Sequence, residues 1–261
     1  MSRRSVQSAT ISFGLVAIPV KFYVSAQAEN VSFCFISPVT KDGRVNQVYK
    51  DVITGDEIPR GAMLRGYEYA KGKVLTLNPN DIKALEETNN GNIEITEFVN
   101  ANQVDLLHVE KSYHLSPGKG GDKSYALLAK ALTKKNQYAV AQSTARGKVH
   151  LVVIRPYKDG LVLHQMYYAN EIREFESDVA NVTIKDAEVD LACMLIDNLK
   201  SEKYDPAKYH DTYQDRVKTF IQQKLEGKEV KQPEVAPERK MNDDLFAQLQ
   251  ASIASMKKKV G

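Results

Sequence analysis

The stretch ISFGLVAIPVKFY, Ile11 to Tyr23, decides how the rest of the chain is read. Ile11, Phe13 and Leu15 alternate with small or polar residues, which is the period of a half-buried strand. Val20 and Phe22 resume that period after Pro19, so the stretch predicts an N-terminal strand broken at the proline. Two later stretches repeat the pattern. VNQVYKDVIT (Val45 to Thr54) and KVLTL (Lys73 to Leu77) alternate apolar with polar residues and are rich in β-branched types.

Working outward, Asn78-Pro79-Asn80-Asp81 supplies a turn and an N-cap for a short helix over DIKALEET. NIEITEFVN (Asn92 to Asn100) reads as a strand that shifts face near Phe98. The loop SPGKGG leads to Asp122, a cap for the helix DKSYALLAKALTKK, in which Tyr125, Leu128, Ala129 and Leu132 form one buried stripe. YAVAQ, VHLVVI and LVLHQMYY then follow, separated by Gly147 and Asp159-Gly160. They predict an antiparallel meander or part of a barrel. Two helices are expected to close the core. One carries Leu191, Leu195 and Leu199; the other starts at the cap Asp205-Pro206 and runs through Tyr209, Tyr213, Val217 and Phe220 to Gly227. From Gly227 to Lys240 two prolines and many charges mark a linker. Asn242-Asp243-Asp244 caps a last helix with Leu245, Leu249, Ile253 and Met256 in a narrow stripe. The division is therefore a core over 1–226, a linker over 227–240 and a C-terminal helix over 241–261.

The 261 residues are 43% apolar and 26% charged, an ordinary globular composition, and no apolar run is long enough for a membrane span. Met1-Ser2-Arg3-Arg4-Ser5 has no signal-peptide character, and Cys34 and Cys193 are isolated in sequence. A reduced, cytoplasmic protein is the expectation. The formal net charge is only +3, but it is segregated. Lys111 to Lys158 carries ten Lys and Arg against one acid, while Asn80 to Glu110 carries seven acids against one base. Glu171 to Asp205 is acidic again. A nearly neutral protein can thus present a basic surface to a polyanion.

Catalytic patterns fail where they can be tested. A phosphate-binding loop ending at Lys123-Ser124 would need glycine at Pro117 and Asp122, and a dinucleotide fingerprint from Gly118 meets Lys123 at its third glycine. The five histidines show no metal-ligand spacing, and no serine sits in a GxSxG elbow. No enzyme, metal or cofactor is expected. The residues that remain are basic: Lys119, Lys123, Lys130, Lys134, Lys135, Arg146, Lys148, Arg155 and Lys158. An earlier set comprises Arg44, Lys50, Arg60, Arg65, Lys71 and Lys73. Lysine outnumbers arginine in the basic segment, which suits phosphate contact more than bidentate base readout.

Five pieces in register carry a resemblance: ISFGLVAIPVKFY, RGYEYAKGKVL (Arg65 to Leu75), SYALLAKAL (Ser124 to Leu132), HLVVIRP (His150 to Pro156) and YDPAKYHDTYQDRV (Tyr204 to Val217). Together they resemble the bacterial Ku proteins, which bind broken DNA ends in non-homologous end joining. The resemblance implies an α+β fold: a Ku-core β-barrel with flanking helices and a strand bridge that closes a ring in a homodimer around duplex DNA. It places the bridge at about 33–69, including Arg44, Lys50, Arg60 and Arg65, and the later basic set in the cradle. It also implies a cytoplasmic, nucleoid-associated location and a partner, an ATP-dependent DNA ligase of the ligase D type, met by Leu245, Leu249 and Ile253. The family's usual Trp-Lys-Gly before the first strand is replaced here by Gln7-Ser8-Ala9. A lone Cys34 near the bridge argues against zinc. Two other readings stay open: a nucleic-acid-binding module that encircles nothing, and an enzyme on a β-barrel.

Overall fold

Ile11 and Ile18 face each other across the first hairpin, and both are fully buried. The structure, a computed structural model, describes residues 4–85, 91–145, 147–175 and 183–228. Strand β1 (Gln7–Phe13) turns at Gly14-Leu15 into β2 (Val16–Val24). The chain reverses at Gly14, whose φ of 56° suits glycine, and the strand is not broken at Pro19. Leu15 is therefore a fully exposed turn residue and not part of a strand face. Pro19 sits within β2 opposite Thr10, and its carbonyl accepts from the Gly118 N–H at 2.7 Å.

Seven strands close a barrel. Its neighbours in order are β1, β2, β6 (Val109–Pro117), β9 (Gly160–Met166), β8 (Lys148–Tyr157), β7 (Gln137–Ala145) and β5 (Asn92–Asn100). Every pairing is antiparallel except the closing seam, where Ile11 of β1 meets Ile93 of β5 in parallel. The meander expected from Tyr138 to Tyr168 is present as β7-β8-β9, though β9 ends at Met166. The face shift expected in β5 is a bulge between Ile95 and Glu97.

Alternation sorts side chains between the barrel's inside and outside. Ile11, Val20, Phe22, Ile93, Leu115, Ala139, Ala141, Val152, Ile154, Leu161 and Leu163 point into one core. One end of that core is plugged by α2 (Asp122–Lys135), which matches the predicted span, but Asp122 is its first helical residue and not its cap: Gly121 stands at the N-cap and no side chain caps the helix. Tyr125, Leu128, Ala129 and Leu132 are buried, worth about 1.5–3 kcal/mol for each large apolar side chain. Gly118 and Gly121 pack on Pro19 so closely that a Cβ at either would lie about 2.9 Å from the proline ring. That contact explains the glycine-rich entry to α2 without any bound phosphate.

The chain divides into two compact units, 1–29 with 34–174 and 30–33 with 175–261. The first also holds a separate two-stranded sheet, β3 (Arg65–Ala70) and β4 (Lys73–Leu77), followed by α1 (Pro79–Ala84) capped by Asn78. Val45 to Thr54 is not a strand. The Asp51 carboxylate accepts from the N–H groups of Ile53 and Thr54, which makes a turn, and only Lys50 forms a bridge, to Glu57. These same two hydrogen bonds hold the Asp51 carboxyl below its usual pKa.

In the second unit α3 (Asp186–Leu199) matches its leucine pattern, but no residue on it is buried, so it does not close a core as expected. The helix expected from Pro206 is interrupted. A single tight turn at Pro206–Lys208 is followed by α4 (Thr212–Leu225), which starts afresh because the Asp211 side chain caps Tyr213 and Gln214. Gln214 in turn accepts from Val31 N–H within the same unit.

Candidate nucleic-acid interface

On α2 the buried stripe leaves a defined solvent face. At 3.6 residues per turn, Lys123, Lys130 and Lys134 fall within about 40° of one another, opposite the core side, and span about 16 Å. All three are exposed, as is Leu127 between them. Lys135 stands off this line and, with Lys134, lies at the negative end of the helix dipole. Lys119 is exposed in the loop just before the helix.

A second basic group lies on the outer face of the barrel. Arg155 on β8 and Lys158 in the β8–β9 turn both stand over the Tyr157 ring, at 5.3 and 5.5 Å from its centroid. His114 on β6 lies against the same ring, 5.9 Å between centroids. Arg155 is fixed from below, since its Nε donates to His164 Nε2 at 2.8 Å. That bond leaves the His164 proton on Nδ1, which donates to Ser112 Oγ at 2.7 Å. Burial, and then the neighbouring guanidinium, push the His164 pKa down to about 4. The imidazole stays neutral and acts as a prop for Arg155. With its proton facing Ser112, it cannot take one from that hydroxyl, so the Ser–His pair is no nucleophile.

The remaining predicted cations separate. Lys148 begins β8 and Lys158 follows its end, about 30 Å apart along a strand of this length. Lys148 thus lies at the barrel end away from α2, and Arg146 and the residues expected to meet a partner, Leu245, Leu249 and Ile253, lie outside the described residues. Arg65 and Lys73 are on the β3–β4 ribbon and Lys71 is in its turn. Arg44 and Lys50 stand in isolated bridges, and Arg60 in a single 3-10 turn. All six are exposed, with Lys50 3.8 Å from Glu57.

Among the described residues, nothing covers either face of the ribbon. Arg65, Tyr67, Tyr69 and Leu75 share one face; Glu68, Val74 and Thr76 share the other. Two strands alone do not sustain such a surface in water, and exposed apolar clusters of this kind mark contact surfaces. Counting charges missed Lys21, Tyr157 and His114. Lys21 is exposed on β2 between the inward-facing Val20 and Phe22, so alternation alone places it on the outer face. Among the described residues, no helix is long and apolar enough to cross a membrane.

Comparison with known proteins agrees with this architecture. Residues 12–191 match the family model described as the Ku70/Ku80 beta-barrel domain. The chain is 35% identical over 253 residues to the non-homologous end joining protein Ku of Koribacter versatilis, covering 97% of this chain and 87% of that one. It is 34% identical to the protein of the same name in Bacillus subtilis, covering 94% and 79%. With the one in Mycobacterium tuberculosis it shares 32% identity, covering 98% and 96%.

Proposed function

The chain belongs to the Ku family, and on that premise we propose that it binds the ends of double-stranded DNA as a ring-shaped homodimer in the repair of double-strand breaks. The observation that carries this reading is the β3–β4 ribbon, exposed on both faces and bearing Arg65, Lys71 and Lys73 beside Tyr67, Tyr69 and Leu75. A second copy covers the apolar side chains, and DNA lies against the cations. Lysines reaching phosphates give affinity without base recognition, which suits a protein that must accept any broken end. The α2 line of Lys123, Lys130 and Lys134, with Lys119 and the Arg155–Tyr157–Lys158 group, supplies the barrel's share of that contact.

The segment beyond the linker is assigned to recruitment of an ATP-dependent DNA ligase of the ligase D type through Leu245, Leu249 and Ile253, by helix-in-groove docking. No bond is made or broken by the protein itself in this account.

The test is a binding competition among linear, nicked-circular and covalently closed duplex of one sequence. Preference for linear DNA is expected. Equal binding to closed circles would replace the ring with a module that lies on DNA without enclosing it.

A further inference from the structure

Among the described residues of the first unit, nothing plugs the end of the barrel opposite α2. There a cavity of about 690 Å³, within the range of ligand pockets, reaches down to Phe22, Tyr113, Val152 and Leu163. Phe22, Val152 and Leu163 are buried core residues, and the Phe22 and Tyr113 rings meet edge to face at 5.8 Å. Above this apolar floor stands an ordered polar set. Lys111 Nζ lies 2.9 Å from Glu110 Oε1, and its hydrogen bond holds the Glu110 carboxyl below its usual pKa. The other carboxylate oxygen accepts from Gln165 Nε2 at 2.7 Å, and the same amide nitrogen lies 3.1 Å from His150 Nδ1.

These contacts fix orientation in sequence. A carboxylate only accepts, so the Gln165 amide must present nitrogen to Glu110. Its second hydrogen then goes to His150 Nδ1, which puts the imidazole proton on Nε2. Of this ordered pair the cavity receives a carbonyl acceptor, Gln165 Oε1, and an N–H donor, His150 Nε2, beside Gln7 and Ser143, which also line it. The rim charges balance, Lys111 and Lys148 against Glu110 and Glu171. Such a rim offers no surplus of positive charge to a phosphate. An acceptor beside an N–H donor over a largely apolar floor complements an amide attached to an apolar group.

We propose that this barrel mouth binds an uncharged peptide segment, one apolar side chain resting on Phe22, Tyr113, Val152 and Leu163 and the adjoining backbone amide meeting Gln165 and His150. The site lies at the other end of the barrel from the α2 lysines, and it does not depend on the DNA reading.

The test is saturation-transfer NMR and calorimetry on the full chain with N-acetylphenylalanine amide, N-acetylglycine amide and thymidine monophosphate as probes. Saturable binding of the phenylalanine probe is expected, with the glycine probe much weaker. Gln165→Met should weaken that binding about fivefold, the effect of one lost hydrogen bond. If Gln165→Met lowers the melting temperature, His150→Phe, which removes the donor and keeps a ring, carries the test instead. Absence of saturation, unchanged affinity in a folded variant, or tighter binding of the nucleotide would overturn the assignment.

Discussion

Tyr125 of α2 accepts the Leu161 backbone N–H of β9 at 2.8 Å through its phenol oxygen. The same hydroxyl donates to the Leu115 carbonyl of β6 at 2.7 Å. One side chain therefore ties the plugging helix to two barrel strands at their ends. Burial raises the phenol's pKa above its usual value. Tyr125→Phe leaves both backbone groups buried without their partner, a cost of about 1–3 kcal/mol. Chemical denaturation should show that loss with the slope unchanged. Because the folded phenol holds its proton longer than the unfolded one, wild-type stability should also fall as the pH rises above 10, and the variant should lose less there.

His164 gives an acid counterpart. Its folded pKa, about 4, lies below the ordinary 6.5, so the unfolded state takes up a proton first as the pH falls. Stability from this group is complete above 6.5 and is lost between 6.5 and about 4. Equilibrium unfolding at a series of pH values should show that decline, and His164→Asn should flatten it. A decline of equal size in the variant would assign the effect to other groups.

Charge reversal of the α2 line tests the proposed interface. Lys123→Glu, Lys130→Glu and Lys134→Glu together should weaken binding to every duplex sequence alike. They should also flatten the log–log salt dependence by about 5.4 for the dimer, three contacts from each subunit at roughly 0.9 per phosphate contact. Lys135→Glu, off that line, should do less. Binding isotherms from low to moderate salt measure both, and an unchanged slope in the triple variant would turn this helix away from DNA.

The ribbon predicts a dimer in solution. Wild-type protein at micromolar concentration should sediment as a dimer. Tyr67→Asp with Leu75→Asp, on the same ribbon face, should shift it toward a folded monomer and weaken end binding. A wild-type monomer, or a variant that stays dimeric, would contradict the role given to this face.

A chain ending at Lys240 should bind ends as the full chain does and fail to stimulate the cognate ligase. Ligation assays beside binding assays read both properties. Lost end binding would make the C-terminal segment part of the core, and full stimulation would remove its recruiting role.

Much of the barrel was legible because its interior obeys period two. β7, β8 and β9 lie where Gly147 and Asp159-Gly160 punctuate the sequence, and α2 lies where four residues share a face. Reading failed where side chains compete with pairing. Asp51 captures two backbone N–H groups and turns a strand-like stretch, and Asp211 restarts a helix that looked continuous. In the first hairpin Pro19 has the sequence signature of a break, whereas Gly14 makes the turn. Leu191, Leu195 and Leu199 formed a correct helical stripe, but periodicity does not say what covers it. The basic segment was visible as a count only. The barrel divides it, sending Lys148 to one end and Lys158 to the other, and alternation brings in Lys21 and Tyr157, which no charge tally had singled out.

Encirclement is the central claim, and topological trapping tests it most directly. The protein is loaded on linear duplex, the DNA is ligated into a circle, and the complex is washed in salt high enough to break phosphate contacts. Protein is expected to stay with the closed circle through the wash and to leave once a restriction enzyme reopens it. Release from the closed circle at the same salt as from linear DNA would contradict the ring.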